Sequence, residues 1–227
     1  MKPAPKRLTN QIAAKIGRDI AAQRLHAGEL LPPDTVLCAE NSVSRVVMRE
    51  ALRILGAKGM IRAVPKAGTF VSPKSEWAMF DADVLDWIAR ETPAEKRRQL
   101  LHELLDLRLM FEPGAAALAA SRATSNQRQR LSNAFQGLRQ SGVGLSGRAA
   151  ELSYFSLMLE GAQNEFLAPL VQVYELSHEL IERIGHRYTR DFDVKPHERL
   201  TRAIMNHDAA ASRASMQAVL LTMYVRN

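Results

Sequence analysis

The stretch that decides the fold is VSRVVMREAL, which occupies residues 43–52. Ser44 is a residue type that caps helix N-termini, because its hydroxyl can accept a hydrogen bond from the first turn. The apolar side chains that follow recur at helical spacing and are expected to face inward: Val47, Ala51, Ile54 and Leu55. This pattern predicts a helix that begins after Ser44 and ends near Gly56 or Gly59.

The opposite face of this helix carries Arg45, Arg49 and Arg53 at a spacing of four residues. Side chains at this spacing are neighbours on a helix surface, so their charges repel one another unless an anion lies nearby. Binding to a polyanion such as DNA would relieve that repulsion. A solvated face, with Glu50 nearby, is the alternative that the pattern leaves open.

Two more helices are predicted upstream. Isoleucines recur every four residues over 12–20, and Gly28 stands where a helix C-terminus favours a left-handed residue. Asp34 can cap a short second helix that runs to about Glu40. A short helix, a turn and a helix with a basic first turn form the arrangement that enters the DNA major groove.

Downstream, a two-stranded hairpin is predicted. Residues 61–64 and 69–71 are short β-type runs, and Pro65–Gly68 separates them. Such a hairpin forms a wing beside a helix-turn-helix. Lys66 and backbone amides can then lie against phosphates, while Gly68 permits close approach of the backbone.

The distribution of charge favours two domains. Residues 1–74 hold 13 Lys and Arg against 5 Asp and Glu, whereas residues 75–227 hold 18 against 19. A concentrated basic surface suits phosphate binding, although basic segments also serve solubility alone. A single cysteine, Cys38, together with the lack of a membrane-length apolar run or a signal-peptide core, predicts a cytoplasmic protein without disulfides.

The N-terminal segment resembles the GntR family of winged-helix regulators. The resemblance is carried by Leu-Pro-Pro-Asp at 31–34, VSR-x3-REAL at 43–52 and Gly-Thr-Phe-Val at 68–71. Ser42 stands where the family usually has the turn glycine, so a positive φ there would cost about 1 kcal/mol. We predict DNA contacts from Ser44, Arg45, Val46, Arg49, Lys66, Gly68 and Thr69.

Beyond a hinge predicted at 72–75, almost every residue is predicted to be helical. The predicted helical runs are roughly 94–123, 125–140, 148–161, 165–188 and 197–225. The predicted fold class is therefore mainly α, with a winged helix-turn-helix domain over 1–74 and an all-α bundle over 75–227.

The second domain contains Arg108 with Glu112, Ala-Ala-x-Arg-Ala-Thr at 119–124, Asn164, and His197 with Ala203, Ile204 and Asp208. On these residues it resembles the FCD effector domain of the FadR-type branch. The 77–87 stretch is similar to a subgroup that senses sugar acids such as galactonate. The resemblance implies effector binding and dimerisation.

Many FCD domains hold a divalent metal, and the resemblance places its ligand positions at Glu151, Phe155, His197 and Val219. Phenylalanine and valine have no lone pair to donate, which leaves fewer than the three protein ligands that a tight site uses. We therefore predict no tightly bound metal and no cofactor. The remaining candidate histidines, expected at the surface or in the core, are His178, His186 and His207.

Arg108 lies in an otherwise apolar stretch, 100–111, and its charge needs a partner. A guanidinium that faces a bundle cavity suits the carboxylate of a small effector, with His197 as a second polar contact. A structural pair with Glu112, four residues along the helix, is the equal alternative.

Three functions compete. The leading one is a homodimeric regulator that binds double-stranded operator DNA, and that a small carboxylate such as a sugar acid releases from it. The second is a regulator with a degenerate pocket that needs no small ligand. The third, a helical metalloenzyme, has one ExxH pair at 175–178 where a dinuclear carboxylate bundle needs two, so no enzymatic activity is expected.

Overall fold

A succession of helices, interrupted once by a β-hairpin, makes up the protein. The computed structural model describes residues 5–141, 145–184 and 194–225. The chain forms two units, Met1–Pro93 and Ala94–Asn227. The elements of the first unit are α1 (Pro5–Ala21), α2 (Asp34–Asn41), α3 (Arg45–Ala57), β1 (Ile61–Val64), β2 (Gly68–Val71) and α4 (Ala82–Glu91).

The core of the first unit forms where α1 packs against α3 and α4. The predicted isoleucine stripe of α1 is buried, as are Ala51 and Leu55 of α3. Met48, which was not predicted to face inward, is also fully buried, whereas Val47 and Ile54 are only half-buried. Positions 48, 51 and 55 lie on one helical stripe, since they are three and four residues apart.

The turn between α2 and α3 has a left-handed residue at the position where the GntR family usually has glycine. Ser42 has φ 53° and ψ 42°, and its backbone N–H donates to the carbonyl of Ala39 at 3.2 Å. Asn41 reinforces the turn, because its side-chain amide donates to the Leu37 carbonyl at 2.8 Å. The strain expected for a non-glycine residue is therefore present at position 42.

The predicted wing is confirmed as an antiparallel hairpin. Ile61 of β1 lies opposite Val71 of β2, and Val64 lies opposite Gly68. Gly68 has φ +116°, and a Cβ there would come within 2.6 Å of the Leu30 side chain. Glycine is therefore required at this corner by both its backbone angle and the close approach of Leu30.

The segment after the hairpin packs within the first unit, although the predicted domain boundary lies at residue 74. Trp77 Nε1 donates to the Ser72 carbonyl at 3.1 Å. Lys58 Nζ lies 2.6 Å from Asp81 Oδ1. On α4, the buried Trp87 ring covers Gly17 so closely that a Cβ on Gly17 would lie 2.2 Å from it. This ring-on-glycine contact brings together residues far apart in the chain, which no local pattern signals.

The second unit is the predicted all-helical bundle. Its elements are α5 (Ala94–Arg122), α6 (Ser125–Ser141), α7 (Leu145–Gly161), a short 3-10 segment (Glu165–Leu170), α8 (Val171–Arg183), α9 (Lys195–Met205) and α10 (Ala209–Val225). The long α5 packs against α7, α8, α9 and α10, and a run of alanines near its C-terminal end is buried in this core. Among the described residues, none of the helices combines the length and the hydrophobicity of a membrane span.

The predicted run 197–225 is two helices rather than one. His207 has φ +59° and breaks the run. Asp208 then caps α10, because its Oδ1 accepts from the Ala211 N–H at 2.9 Å. The run predicted over 165–188 begins as 3-10 helix, where Pro169 removes a backbone donor. The end predicted for that run, at residue 188, lies outside the described residues.

Candidate functional site

The start of α3 is an exposed surface. Ser44 caps the helix as predicted, since its Oγ accepts from the Val47 N–H at 3.4 Å. Arg45, Val46 and Arg49 are exposed, and Val46 exposes 79% of its surface. An apolar side chain this exposed at a helix start suits contact with a thymine methyl group.

The wing adjoins α3. A groove of about 440 Å³ runs between them, and Arg49, Arg53, Ala63 and Thr69 are among the residues that line it. Lys66 and Gly68 are exposed at the hairpin tip, and Lys66 has φ +63°. The structure thus brings Arg49 and Thr69 to one groove, and the DNA contacts of all seven predicted residues stay a prediction.

The three arginines of α3 have different surroundings. Arg53 is held by Glu50, whose carboxylate accepts from Nε at 2.9 Å and from Nη2 at 2.7 Å. The hydrogen bonds from Arg53 lower the pKa of Glu50. Among the described residues, Arg49 donates through Nε alone, to Asp34 Oδ2 at 3.3 Å. Arg45 forms no salt bridge within the described residues. The repulsion along the column is therefore partly relieved inside the protein.

A buried polar cluster in the second unit contains Arg108. This side chain is fully buried, and its Nε donates to Glu112 Oε1 at 2.5 Å. The guanidinium carbon lies 4.6 Å from the ring centre of Tyr174 and 5.9 Å from that of Phe155. The structural pair left open by the sequence therefore forms. An effector contact through Arg108 stays a prediction.

Glu151, His178 and His197 complete this cluster. His197 Nε2 lies 3.5 Å from Glu151 Oε1. His178 is fully buried, and its ring centre lies 4.2 Å from that of Tyr174. Burial lowers the pKa of His178 to about 3, so this histidine is uncharged at neutral pH. Burial likewise raises the pKa of Tyr174 well above its usual 10.

Neither Tyr174 nor His178 was predicted as a site residue. Both lie on α8, four residues apart, and face the same side as the buried Ser177. The spacing was a usable signal, but only the packing of α8 against α5 and α7 shows that these side chains meet Arg108 and Glu151. His178 is a core residue, His207 is exposed, and His186 lies outside the described residues.

The residues at the family's metal positions do not fit a metal. Phe155 and Val219 are buried in the apolar core, and the Phe155 ring stacks on Tyr174 at 4.6 Å. Within the described ranges, no group of three or more His, Cys, Asp or Glu side chains is arranged to hold a metal ion. Two of four donor positions thus carry hydrocarbon, which cannot coordinate a metal.

Comparison with known proteins agrees with this architecture. The chain is 28% identical over 216 residues to the galactonate operon transcriptional repressor of Escherichia coli strain K12, and the match covers 93% of each chain. It is also 28% identical over 222 residues to the uncharacterized HTH-type transcriptional regulator YieP of the same organism, covering 96% of this chain and 94% of YieP.

A solved structure has the same fold. It is that of Lar, which controls the expression of the Listeria monocytogenes agr system. The TM-score is 0.60 at 16% identity, and the match covers 100% of this chain and 97% of Lar. Residues 8–71 match the bacterial regulatory proteins of the gntR family, and residues 103–222 match the FCD domain. With its winged helix-turn-helix followed by a helical bundle, the chain belongs to the GntR family of bacterial regulatory proteins, in the FadR-type branch that carries an FCD domain.

Proposed function

We propose that this DNA-binding transcription regulator is a repressor, and that a small carboxylate releases it from its operator. The observation that carries the proposal is the exposed first turn of α3, which presents Arg45, Val46 and Arg49 beside the wing. The similarity to a galactonate operon repressor supports repression and a sugar acid as effector.

The DNA surface is proposed to comprise two sets of residues. At the start of α3 they are Ser44, Arg45, Val46 and Arg49, and in the wing they are Lys66, Gly68 and Thr69. The arginines read guanine edges, whereas Lys66 neutralises phosphate and adds affinity for every sequence. To test this, the full chain would select duplexes from a randomised pool, and the enriched sequences would be compared with those selected by Arg45→Ala. An identical consensus for both proteins would refute the assignment.

The regulator is proposed to act as a homodimer on a near-palindromic site. One short recognition helix reaches only a few base pairs, and two-fold pairing of two such helices about doubles the base contacts. The symmetry of the operator must then mirror that of the protein. Light scattering of the free chain and of the DNA complex tests this, and a monomer in both would refute it.

The effector is proposed to bind in the helical bundle, with Arg108 and His197 as its polar contacts and no metal. Arg108 is the one fully buried cationic side chain among the described residues. It already pairs with Glu112, so the carboxylate of an effector would bind the same guanidinium alongside Glu112. Burial and the charge of nearby Glu151 raise the pKa of the Tyr174 hydroxyl, so this group is a neutral donor within the same cluster. No enzymatic activity is proposed.

A thermal-shift screen of sugar acids and other small carboxylates tests the effector proposal. The identified effector would then be titrated into wild type, Arg108→Gln and the control Arg183→Gln. Arg183 suits the control because it pairs with Glu179 at the same spacing of four residues on a half-buried surface. Full binding by Arg108→Gln, or binding that vanishes on chelation, would contradict the proposal.

The alternative regulator, whose pocket needs no small ligand, makes a different prediction. No carboxylate in the screen would then shift the melting temperature, while operator binding would remain intact.

A further inference from the structure

Two arginines on successive turns of α3 are paired in different ways. Glu50 engages Arg53 through both Nε and Nη2, so the fork of that guanidinium is occupied. Asp34 engages Arg49 through Nε alone, at 3.3 Å. The terminal Nη1 and Nη2 groups of Arg49 donate no hydrogen bond within the described residues. Arg49 is thus held through Nε, while its terminal Nη1 and Nη2 groups remain able to donate to another partner.

The group that holds Arg49 is fixed in place by the sequence around it. Asp34 is the first residue of α2 and follows Pro33, whose ring fixes φ at −54°. A carboxylate in the first turn of a helix is also favoured by the helix dipole. Asp34 is therefore an anchor on a regular element, one helix away from the arginine that it holds.

We propose that Asp34 is a positioning residue for base recognition, holding Arg49 through Nε so that its terminal amino groups read a guanine. Bidentate recognition of guanine O6 and N7 needs two N–H groups in a fixed orientation. An exposed ion pair contributes little to folding, and the Arg49 side chain is 75% exposed. The benefit of this pair therefore lies in orienting the arginine. The inference rests on the proposed function, since it needs α3 to enter an operator.

Simple electrostatics predicts the opposite result. Asp34 is an anion beside the surface that meets DNA, so its removal should strengthen binding to every duplex alike. A positioning role predicts weaker discrimination at one base pair instead. The two accounts differ in sequence dependence, which a comparison of matched duplexes measures directly.

The test uses the full chain and duplexes enriched by the wild type from a randomised pool. Each strongly selected G·C pair is replaced by A·T, and the affinity ratio is measured at fixed salt by fluorescence anisotropy. Asp34→Ala should lower the ratio at one position by about tenfold, the size of a good bidentate contact. Asp34→Asn keeps an acceptor oxygen and should lose less. In an Arg49→Ala background, Asp34→Ala should change the ratio no further.

Glu50→Gln is the matched control, because it frees the neighbouring Arg53 and also removes one negative charge. It should leave the ratio within about twofold of wild type, and a tenfold loss here would overturn the inference. A wild-type ratio for Asp34→Ala, or an equal gain on every duplex, would also overturn it. In both cases the proposed function would stand. A wild-type chain that enriches no sequence would overturn the proposed function and the inference together.

Discussion

The exposed arginines of α3 and the buried Arg108 of the second unit show how burial determines the role of a charged side chain. Arg49 lies 75% exposed, and its carboxylate partner takes one edge of the guanidinium. Arg108 is fully buried, with Glu112 against it and aromatic rings nearby. The neighbours at a spacing of four also differ, since Arg49 has Arg45 and Arg53 there, whereas Arg108 has Glu112. Arg49 is therefore accessible to an external anion, whereas Arg108 balances an internal charge.

The largest expected effect is in the buried region. Arg108→Met should destabilise the bundle by about 3–5 kcal/mol, because it leaves Glu112 buried without its counter-charge. Urea unfolding followed by far-UV circular dichroism measures this. Fluorescence of Trp77 and Trp87, which both lie in the first unit, should report an unchanged transition.

Two controls sharpen that experiment. Arg108→Met combined with Glu112→Leu removes both charges and should recover most of the loss. Arg183→Met breaks a half-buried pair at the same spacing and should cost under about 1 kcal/mol. An equal loss of unfolding free energy in Arg108→Met and Arg183→Met would contradict the view that burial determines the cost of breaking the pair.

The exposed arginines should behave in the reverse way. Arg45→Ala and Arg49→Ala should each weaken operator binding by about 1–3 kcal/mol, since each removes one guanidinium that we propose reads a base. Their free energies of unfolding should stay within about 0.5 kcal/mol of wild type, because neither side chain is buried. Anisotropy at fixed salt and urea unfolding give the two numbers. A large loss of stability with unchanged operator binding would assign these residues to the fold instead.

The buried cluster should also give the bundle a dependence on pH. The folded-state pKa of His178 is about 3, against 6.5 for the free side chain, so the unfolded chain binds the extra proton between these values. Stability from this residue is complete above pH 6.5 and falls as pH drops. The loss between pH 6.5 and pH 5 should be about 2 kcal/mol.

Unfolding curves at several pH values, for wild type and His178→Gln, measure that slope. His178→Gln should flatten it, because no proton is then taken up at this position on unfolding. An unaltered slope in His178→Gln would mean that other groups carry the pH dependence.

The smallest predicted change lies in the turn that presents the exposed arginines. Ser42→Gly should stabilise the first unit by up to about 1 kcal/mol, since Ser42 has φ 53° and glycine adopts that angle without strain. Tryptophan fluorescence during urea unfolding measures the gain. Ser44→Gly, at an extended residue with φ −72°, should give no gain. Stabilisation by both variants alike would point to a cause other than the left-handed angle.

Local patterns were sufficient for the elements of the first unit. Ser44 as a cap and the 61–71 hairpin follow from short-range chemistry, and the structure has both. The positive φ at Ser42 was expected only from the resemblance to a family that usually has glycine there. The break at His207 was missed because apolar spacing continues on both sides of it. The sequence predicted only some of the residues of the buried polar cluster. Arg108 and Glu112 share a helix, whereas Tyr174 and His178 meet them through tertiary packing.

The segment after the wing, which ends in α4 and packs on α1, determines where the first unit can be separated as a fragment. A fragment that stops at residue 74 loses Trp87, and with it the cover over Gly17 on α1. It also loses both carboxylates that hold Lys58, Asp81 and Asp83. The uncovered apolar face would make such a fragment prone to aggregation. A soluble DNA-binding fragment should therefore end near Pro93, whether it is expressed as such or released by a protease.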